Sequence, residues 1–170
     1  MSDYTIGIDP GVTGAMAMIH DGRVVRVDDI PTYEHKVGKR IQNVLNAALL
    51  ARTITSWCKG RNVMIWVEQT QIRGGSGRIP GVTSVFSSGR TFGIIEGVIA
   101  TLGCPVQYIH PNVWKTSHRL QKKTKDDSIA RAIELYPHAI EDLARKKDHG
   151  RAEAILIAHY GAVAALLAPV

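Results

Sequence analysis

Residues 5–28, TIGIDPGVTGAMAMIHDGRVVRVD, decide the fold class of this chain. Thr5–Asp9 and Ala15–His20 are short apolar runs that are separated by a turn at Pro10-Gly11. Asp21-Gly22 then separates the second run from Arg23–Asp28, and Asp-Gly between two strand-like runs is a strong hairpin signal. The chain is therefore predicted to open with an antiparallel meander of three strands.

The period of the apolar residues predicts the elements that follow the meander. In chain order these are a helix over Lys39–Trp57, a strand over Val63–Val67, a loop over Ile72–Pro80, a helix over Val85–Leu102, a strand over Pro105–Ile109, a short helix from Pro111 to Lys115, a helix over Asp126–Tyr136 and a helix over His149–Leu167. The last helix is almost wholly apolar after its first turn, so it is expected to be buried or packed against another chain. The order predicts an α/β fold whose sheet mixes the meander with parallel crossovers.

Length and composition favour one globular domain over residues 1–170. The chain is 45% hydrophobic and 21% charged, which suits a single core of ordinary size and argues against a disordered or repetitive chain. Cys58 and Cys104 lie far apart in the sequence, so no disulfide framework or cysteine zinc site is predicted. Since neither a signal peptide nor a membrane-spanning apolar run is recognisable, we expect no membrane association and a cytoplasmic location.

The chain is basic, with 21 Lys and Arg against 15 Asp and Glu and a formal charge of +6. The excess is concentrated in the second half, around residues 115–125 and 145–151. Such an excess suits a polyanionic partner, although a solvated basic face explains the charge alone equally well.

Four carboxylates are candidate catalytic or metal-binding residues because of their positions at the ends of predicted elements. Asp9 and Glu68 end two predicted strands, and Asp148 and Glu153 lie at the start of the last helix. Taken singly, Asp9 fits a turn cap, Glu68 an edge carboxylate paired with Arg, and Asp148 a helix N-cap. If the strands are neighbours and the helix crosses them, the carboxylates converge, and bound Mg²⁺ or Mn²⁺ would relieve their mutual repulsion. Two such ions serve in-line phosphodiester hydrolysis, so a basic chain with this pocket has a nuclease pattern.

At these residues the sequence resembles the RuvC-like Holliday-junction resolvases, particularly their divergent phage-type branch, within the ribonuclease H-like superfamily. The motifs that carry the resemblance are Gly7-Ile8-Asp9-Pro10-Gly11, Val67-Glu68-Gln69, Gly89-Arg90-Thr91-Phe92-Gly93 with Glu96-Gly97, Pro111 with Trp114-Lys115, and Asp148–Ala158. They run over most of the chain, and the ordered set is more specific than any one motif.

The resemblance implies a five-stranded mixed sheet with helices on both faces. It also implies a homodimer with two active sites that makes paired, metal-dependent nicks across a four-way DNA junction, which is the activity of a crossover junction endodeoxyribonuclease. By position, Asp9 and Glu68 correspond to the first two metal ligands and Glu153 to the last. The family often has an acid or a His three residues before the last ligand, and this chain has Gly150 there. Asp148 or His149 is the candidate fourth ligand, and Asp148 is favoured.

On this hypothesis Asp9 bridges two Mg²⁺ or Mn²⁺ ions, and hydrolysis leaves a 5′-phosphate and a 3′-hydroxyl. The candidate DNA contacts, each of which is equally compatible with a solvated surface role, are Arg73, Arg78, Arg90, Lys115, Lys122, Lys123 and Lys125. Trp114 is assigned to core packing, and Gly89, Gly93 and Gly97 are assigned to the close approach of a neighbouring backbone.

Three alternatives differ in their substrate or chemistry. Sugar kinases and actin-like ATPases also open with a strand, an Asp and a Gly-rich turn, but 170 residues are too few for their two lobes. A nuclease acting on flaps or RNA–DNA hybrids would use the same metal ligands. A module that binds branched DNA without cutting it is the third alternative, and metal-dependent turnover distinguishes it from the enzymes.

Overall fold

A five-stranded mixed sheet forms the centre of the protein. The computed structural model describes residues 3–70 and 81–167. The strands of the central sheet are β1 (Tyr4–Asp9), β2 (Ala15–His20), β3 (Arg23–Asp29), β6 (Val63–Glu68) and β7 (Val106–Ile109). Their order is β3-β2-β1-β6-β7, with β2 antiparallel to β1 and β3, and with β6 parallel to β1 and β7. The predicted meander and mixed sheet are confirmed.

Helices cover both faces of this sheet, as predicted. On one face lie α1 (Ala47–Cys58) and α2 (Val82–Ala100). On the other lie α3 (Pro111–Ser117), α4 (Lys125–Leu135) and α5 (His149–Leu167), with two short 3-10 turns at Pro137–Ala139 and Glu141–Leu143 before α5. Each face has its own apolar cluster, so the sheet is buried between two helical layers.

The alternation of residue size along β1 and β2 decides which helix packs on which face. Met16 and Met18 point toward α1 and α2, whereas Ala15 and Ala17 point toward α5. Gly7 lies under α5 so closely that an added Cβ would overlap the Ala154 carbonyl oxygen. The small side chains on this face therefore let α5 approach the sheet at backbone distance.

By length and composition alone, α5 is a candidate membrane-spanning helix. In the fold, its residues from Ala154 to Ala158 are fully buried, and they pack against β1 and β2. The helix is thus the central core element of this face, which confirms the prediction that it is buried.

The helix predicted over Lys39–Trp57 is wrong in its first eight residues. Residues 32–45 form a separate two-stranded antiparallel sheet of β4 (Thr32–Val37) and β5 (Arg40–Leu45), and the helix begins only at Ala47. Gly38 turns the chain between the strands with φ at +61°, which glycine adopts readily. Asn46 caps α1 by accepting a hydrogen bond from the Leu49 amide at 3.0 Å. We call residues 32–45 the ribbon.

Candidate active site

Three of the predicted carboxylates lie near the carboxyl edge of the central sheet, where their charges act on one another. Parallel pairing of β1 with β6 puts Asp9 and Glu68 at the same edge, and the first turns of α5 bring Glu153 to them. Burial is the largest cause of the raised pKa of Asp9, and the charges of Glu153 and Glu68 raise it further. Because the charges of two other carboxylates act on the half-buried Asp9, this edge of the sheet is a concentration of negative charge.

Gly150 fixes how closely α5 approaches the turn after β1. A Cβ added at Gly150 would stand 2.5 Å from the Thr13 carbonyl oxygen and 3.3 Å from Asp9 Oδ2. The backbone of α5 therefore occupies the space in which a side chain at position 150 would have to begin. This packing explains physically why the chain has glycine where the resembling family often has an acid or a His.

Trp114 holds the second carboxylate. The Trp114 indole is fully buried, and its Nε1–H donates a hydrogen bond of 2.7 Å to Glu68 Oε2. The pKa of Glu68 is raised, chiefly by burial, while Lys115 and the Trp114 hydrogen bond act in the opposite direction. Sequence reasoning assigned Trp114 to core packing and missed this contact, because no local pattern relates residues 46 positions apart.

Lys115 neutralises part of the acidic charge. Its Nζ lies 3.6 Å from Glu153 Oε1 and 4.9 Å from the centroid of the Trp114 ring. The Lys115 charge also acts to lower the pKa of Asp9 and of Glu68. Lys115 was predicted as a phosphate contact, and the structure places it among the acidic residues themselves.

His149 lies at the rim of the same site. Lys125 Nζ donates a hydrogen bond of 3.0 Å to His149 Nε2, and the Lys125 charge acts on Asp9. His149 and Glu153 are one helical turn apart and so share a face of α5. His149 is therefore placed beside Glu153, where it could serve as the fourth metal ligand.

Asp148 has partners that differ from those of the predicted metal ligand. Its carboxylate accepts hydrogen bonds from the Arg145 backbone N–H at 2.7 Å and from Arg145 Nε at 2.8 Å, and Arg145 Nη2 lies 2.6 Å from Oδ1. Burial raises the pKa of Asp148, but the Arg145 contacts outweigh burial and hold it below its usual range. Arg151 pairs with Asp29 at 2.6 Å and extends this network to the end of β3. These contacts favour an anchoring role for Asp148 at the start of α5, and the identity of the fourth ligand, Asp148 or His149, stays a prediction.

The predicted lysines line a cleft beside the acidic site. The cleft has a volume of about 890 Å³, and Glu153 lies in its wall. Its cationic lining residues are Lys115, Lys122, Lys123 and Lys125. Arg90 lies elsewhere, in a smaller groove between α2 and β5, and Arg73 and Arg78 fall outside the described residues.

The donor chemistry of the site fits a hard divalent cation, since carboxylate oxygens are the ligands that Mg²⁺ and Mn²⁺ prefer. Within residues 3–70 and 81–167, no three His, Cys, Asp or Glu side chains converge closely enough to surround one ion as they stand. Trp114 and Lys115 engage Glu68 and Glu153 instead. The pKa of Asp9 is raised chiefly by burial and further by the charges of Glu153 and Glu68, while the charges of Lys115 and Lys125 act to lower it.

No family model matches this sequence. The chain is similar to the chloroplastic Holliday junction resolvase MOC1 of Chlamydomonas reinhardtii, with 38% identity over 136 residues. That match covers 78% of this chain and 14% of the algal protein, so the chain spans about a seventh of its relative's length.

Two solved structures have a similar fold. RuvC of Thermus thermophilus, in a complex with a Holliday junction substrate, superposes with a TM-score of 0.56 at 16% identity over 96% of both chains. The Holliday junction resolvase of fowlpox virus superposes with a TM-score of 0.57 at 13% identity, over 96% of this chain and 99% of the viral one. The chain thus has the ribonuclease H-like fold of the RuvC-like resolvases, as its motifs predicted.

Proposed function

We propose that this chain is a structure-selective DNA endonuclease that resolves four-way junctions by paired, metal-dependent phosphodiester hydrolysis, with residues 1–170 as one nuclease domain. The observation that carries the proposal is the half-buried acidic site of Asp9, Glu68 and Glu153, which borders a cleft lined by lysines through Glu153. The similarity to a resolvase supports the choice of substrate.

RuvC-like resolvases generally depend on divalent metal ions, and a pair of Mg²⁺ or Mn²⁺ ions is the proposed cofactor. Asp9, Glu68 and Glu153 are the proposed ligands, with His149 at the fourth position. Metal held by these residues would activate a water and stabilise the leaving oxygen. The family resemblance implies that hydrolysis would leave a 5′-phosphate and a 3′-hydroxyl.

The remaining residues position the ligands and the substrate. Trp114 fixes the orientation of the Glu68 carboxylate through its indole N–H. Lys115 balances charge beside Glu153 and presents an ammonium group to the cleft. The Asp148–Arg145 pair anchors the start of α5 and thereby holds Glu153 over the sheet edge.

The first test is a cleavage assay on a labelled four-way junction in Mg²⁺, Mn²⁺ or EDTA, with linear duplex, flap and RNA–DNA hybrid as control substrates. Symmetric nicking of the junction that requires metal is the expected result. Preferential cutting of flaps or hybrids would contradict the proposed four-way junction substrate but would support the proposed active site. Tight junction binding with no cutting in any metal would favour a binding module over an enzyme.

The cleft lysines are expected to bind DNA phosphates without sequence preference. In the variant Lys122→Ala/Lys123→Ala, affinity should fall about tenfold for junction and duplex alike, and the slope of log affinity against log salt should shrink by about 2. Fluorescence anisotropy in EDTA at several salt concentrations measures both quantities. An Arg52→Ala/Lys59→Ala variant, with the same loss of charge on and just after α1, is the control. Equal slopes in the two variants would assign the cleft lysines to a solvated surface.

The proposed enzyme is a homodimer that pairs through α2. Gly89, Gly93 and Gly97 lie four residues apart on α2 and are exposed, and a Cβ at any of them would have no described neighbour within 4 Å. The neighbouring backbone predicted for these glycines is therefore not supplied by the described part of this chain. Phe86, on the same helix, is 70% exposed. An apolar residue beside an open glycine face suits a second copy of α2.

Replacing Gly93 by leucine is expected to turn the dimer into a monomer without weakening the monomer. The Leu side chain would stand in open space within the described chain, and it is a better helix former than glycine by about 0.5–1 kcal/mol. Sedimentation velocity gives the oligomeric state, and thermal unfolding gives the stability. A wild-type monomer, or a dimer that survives the leucine, would contradict pairing through this face.

A further inference from the structure

The ribbon is an exposed element that the proposed active site does not use. Of its residues, Leu45 is buried at the root with a 4% exposed side chain, whereas Glu34 to Lys36 and Gly38 to Asn43 are exposed. An isolated two-stranded sheet is at best marginally stable in water, and here most of the strand length adds nothing to the core. Because so few ribbon residues are buried, packing against the described core does not explain why the ribbon is this long.

Cationic and hydrogen-bonding side chains dominate the ribbon. Lys36, Lys39 and Arg40 lie near its tip, against one carboxylate, Glu34. Directly opposite residues share a face of a sheet, as do residues two apart along a strand. The register therefore puts Lys36 on one face, and it puts Tyr33, His35, Arg40 and Gln42 together with Val44 on the other. This face combines a guanidinium, an amide, an imidazole and a phenol, which are groups that hydrogen-bond to phosphates and base edges.

The root of the ribbon is anchored beside the acidic site. The Ile30 amide donates to the Gly14 carbonyl oxygen at 2.9 Å, and the Asn46 amide donates to the Pro31 carbonyl oxygen at 2.8 Å. Val12, in the turn after Asp9, shares a groove with the last four residues of β5 and with Arg90. Both ends of the ribbon therefore leave the core at the same sheet edge as Asp9.

Two basic surfaces consequently flank the acidic site from opposite sides of the sheet. The lysine cleft belongs to the side of α3, α4 and α5, and the ribbon leaves from the side of α1 and α2. A polyanion that contacted both surfaces would pass over Asp9 between them. Such an arrangement attracts DNA to the site while the acidic residues themselves repel it.

We propose that the ribbon is a second DNA-binding element, which lies in a groove of the duplex arm on the α1–α2 side of the cleavage point. Each strand rises about 3.3 Å per residue, so the tip extends roughly 17 Å beyond the root. The B-DNA major groove, about 12 Å wide and 8.5 Å deep, admits a two-stranded β-ribbon. The inference rests on the proposed DNA substrate, but it concerns binding rather than cutting.

The test compares Lys36→Ala/Lys39→Ala/Arg40→Ala with a matched control, Arg23→Ala/Arg52→Ala/Lys59→Ala. Arg23 opens β3 at the opposite sheet edge, and Lys59 follows α1, so the control removes the same charge away from Asp9. Binding to a junction is measured in EDTA, where no cutting occurs, at several salt concentrations. We expect the ribbon variant to lose about ten- to a hundredfold in affinity and about 2 to 3 in salt slope, with the control within about twofold of wild type.

Equal affinities and salt slopes for the ribbon and control variants would overturn the proposal. A ribbon variant that changes the sedimentation of the DNA-free protein would also overturn it, because the ribbon would then belong to a protein interface. Should the alanine variant unfold, Lys36→Gln/Lys39→Gln/Arg40→Gln keeps polar side chains on the strands and gives the same readout. A wild-type protein that binds the junction but cuts nothing would defeat the proposed function and leave this inference intact.

Discussion

Replacing Asp9 by asparagine is expected to lower junction cleavage by about a thousandfold or more while leaving junction binding at the wild-type level or stronger. The amide keeps the shape of the side chain but loses the charge that holds a cation. Removing one negative charge beside the lysine cleft also reduces repulsion of the DNA phosphates. Single-turnover cleavage in Mg²⁺ and anisotropy in EDTA separate the two effects. A variant that still cuts at the wild-type rate would remove Asp9 from the site.

The same substitution is expected to raise the melting temperature of the metal-free protein. Burial, Glu153 and Glu68 raise the pKa of Asp9 above its unfolded value, so the folded state binds more protons than the unfolded state between the two pKa values. Stability therefore falls as the pH rises through that window, and the cost of the carboxylate grows until the pH exceeds the pKa of Asp9 in the folded state. Asparagine removes this cost, and each kcal/mol recovered adds about 2–4 °C for a chain of this length.

Thermal unfolding in EDTA at pH 5 and pH 7.5 tests this linkage. The gain of Asp9→Asn over wild type should be smaller at the lower pH, and Mg²⁺ should raise the melting temperature of wild type more than that of the variant. Asp21→Asn is a suitable control, because Asp21 is an exposed turn residue at the opposite edge with φ at +48°, which asparagine tolerates. A metal-free Asp9→Asn protein that melts below wild type would contradict the electrostatic account.

The central sheet was predictable because its strands carry local signals. The Asp21-Gly22 turn, the apolar run of β6 and the proline that opens α3 each act within a few residues. The ribbon was missed because Ile41, Val44 and Leu45 have a spacing that also fits the start of a helix. The sequence signal that favours a hairpin is Gly38, which separates two short segments that each contain two β-branched residues. Periodicity alone does not separate the two readings when the strand has no buried face.

The sequence predicts the positions of site residues that follow strand ends, but it does not predict contacts that depend on how helices pack. Asp9 and Glu68 share an edge because their strands pair in parallel, which their order in the chain suggested. The Trp114–Glu68 hydrogen bond depends on how α3 docks, which no local pattern reports. Arg145 and Asp148 are three residues apart, so their ion pair could be predicted from the sequence. The ion pair of Arg145 with Asp29 could not, because it depends on how the start of α5 packs against the end of β3. The roles of these residues in catalysis remain predictions.

Gly150→Asp restores an acid at the position where the resembling family often has one, and it is nevertheless expected to lose activity. The new Cβ would stand 2.5 Å from the Thr13 carbonyl oxygen, and backbone does not yield as a flexible side chain does. The start of α5 would have to move away from the turn after β1. Because α5 is the core helix of its face, we expect a destabilisation of about 1–3 kcal/mol from this overpacking.

The loss of cleavage should exceed what the loss of stability explains. Glu153 and His149 move with the start of α5, and a displacement of about 1 Å at a reacting centre costs about a hundredfold in rate. Gly150→Ala separates charge from volume, since it adds the same Cβ without a carboxylate and should lose a similar factor. Gly81→Ala, where a Cβ meets no described neighbour within 4 Å, should keep the wild-type rate. Faster cleavage by Gly150→Asp than by wild type, with no gain in Gly150→Ala, would contradict this account. It would show that a carboxylate at position 150 fits and acts as a metal ligand, so that the close approach of α5 to Asp9 does not require glycine there.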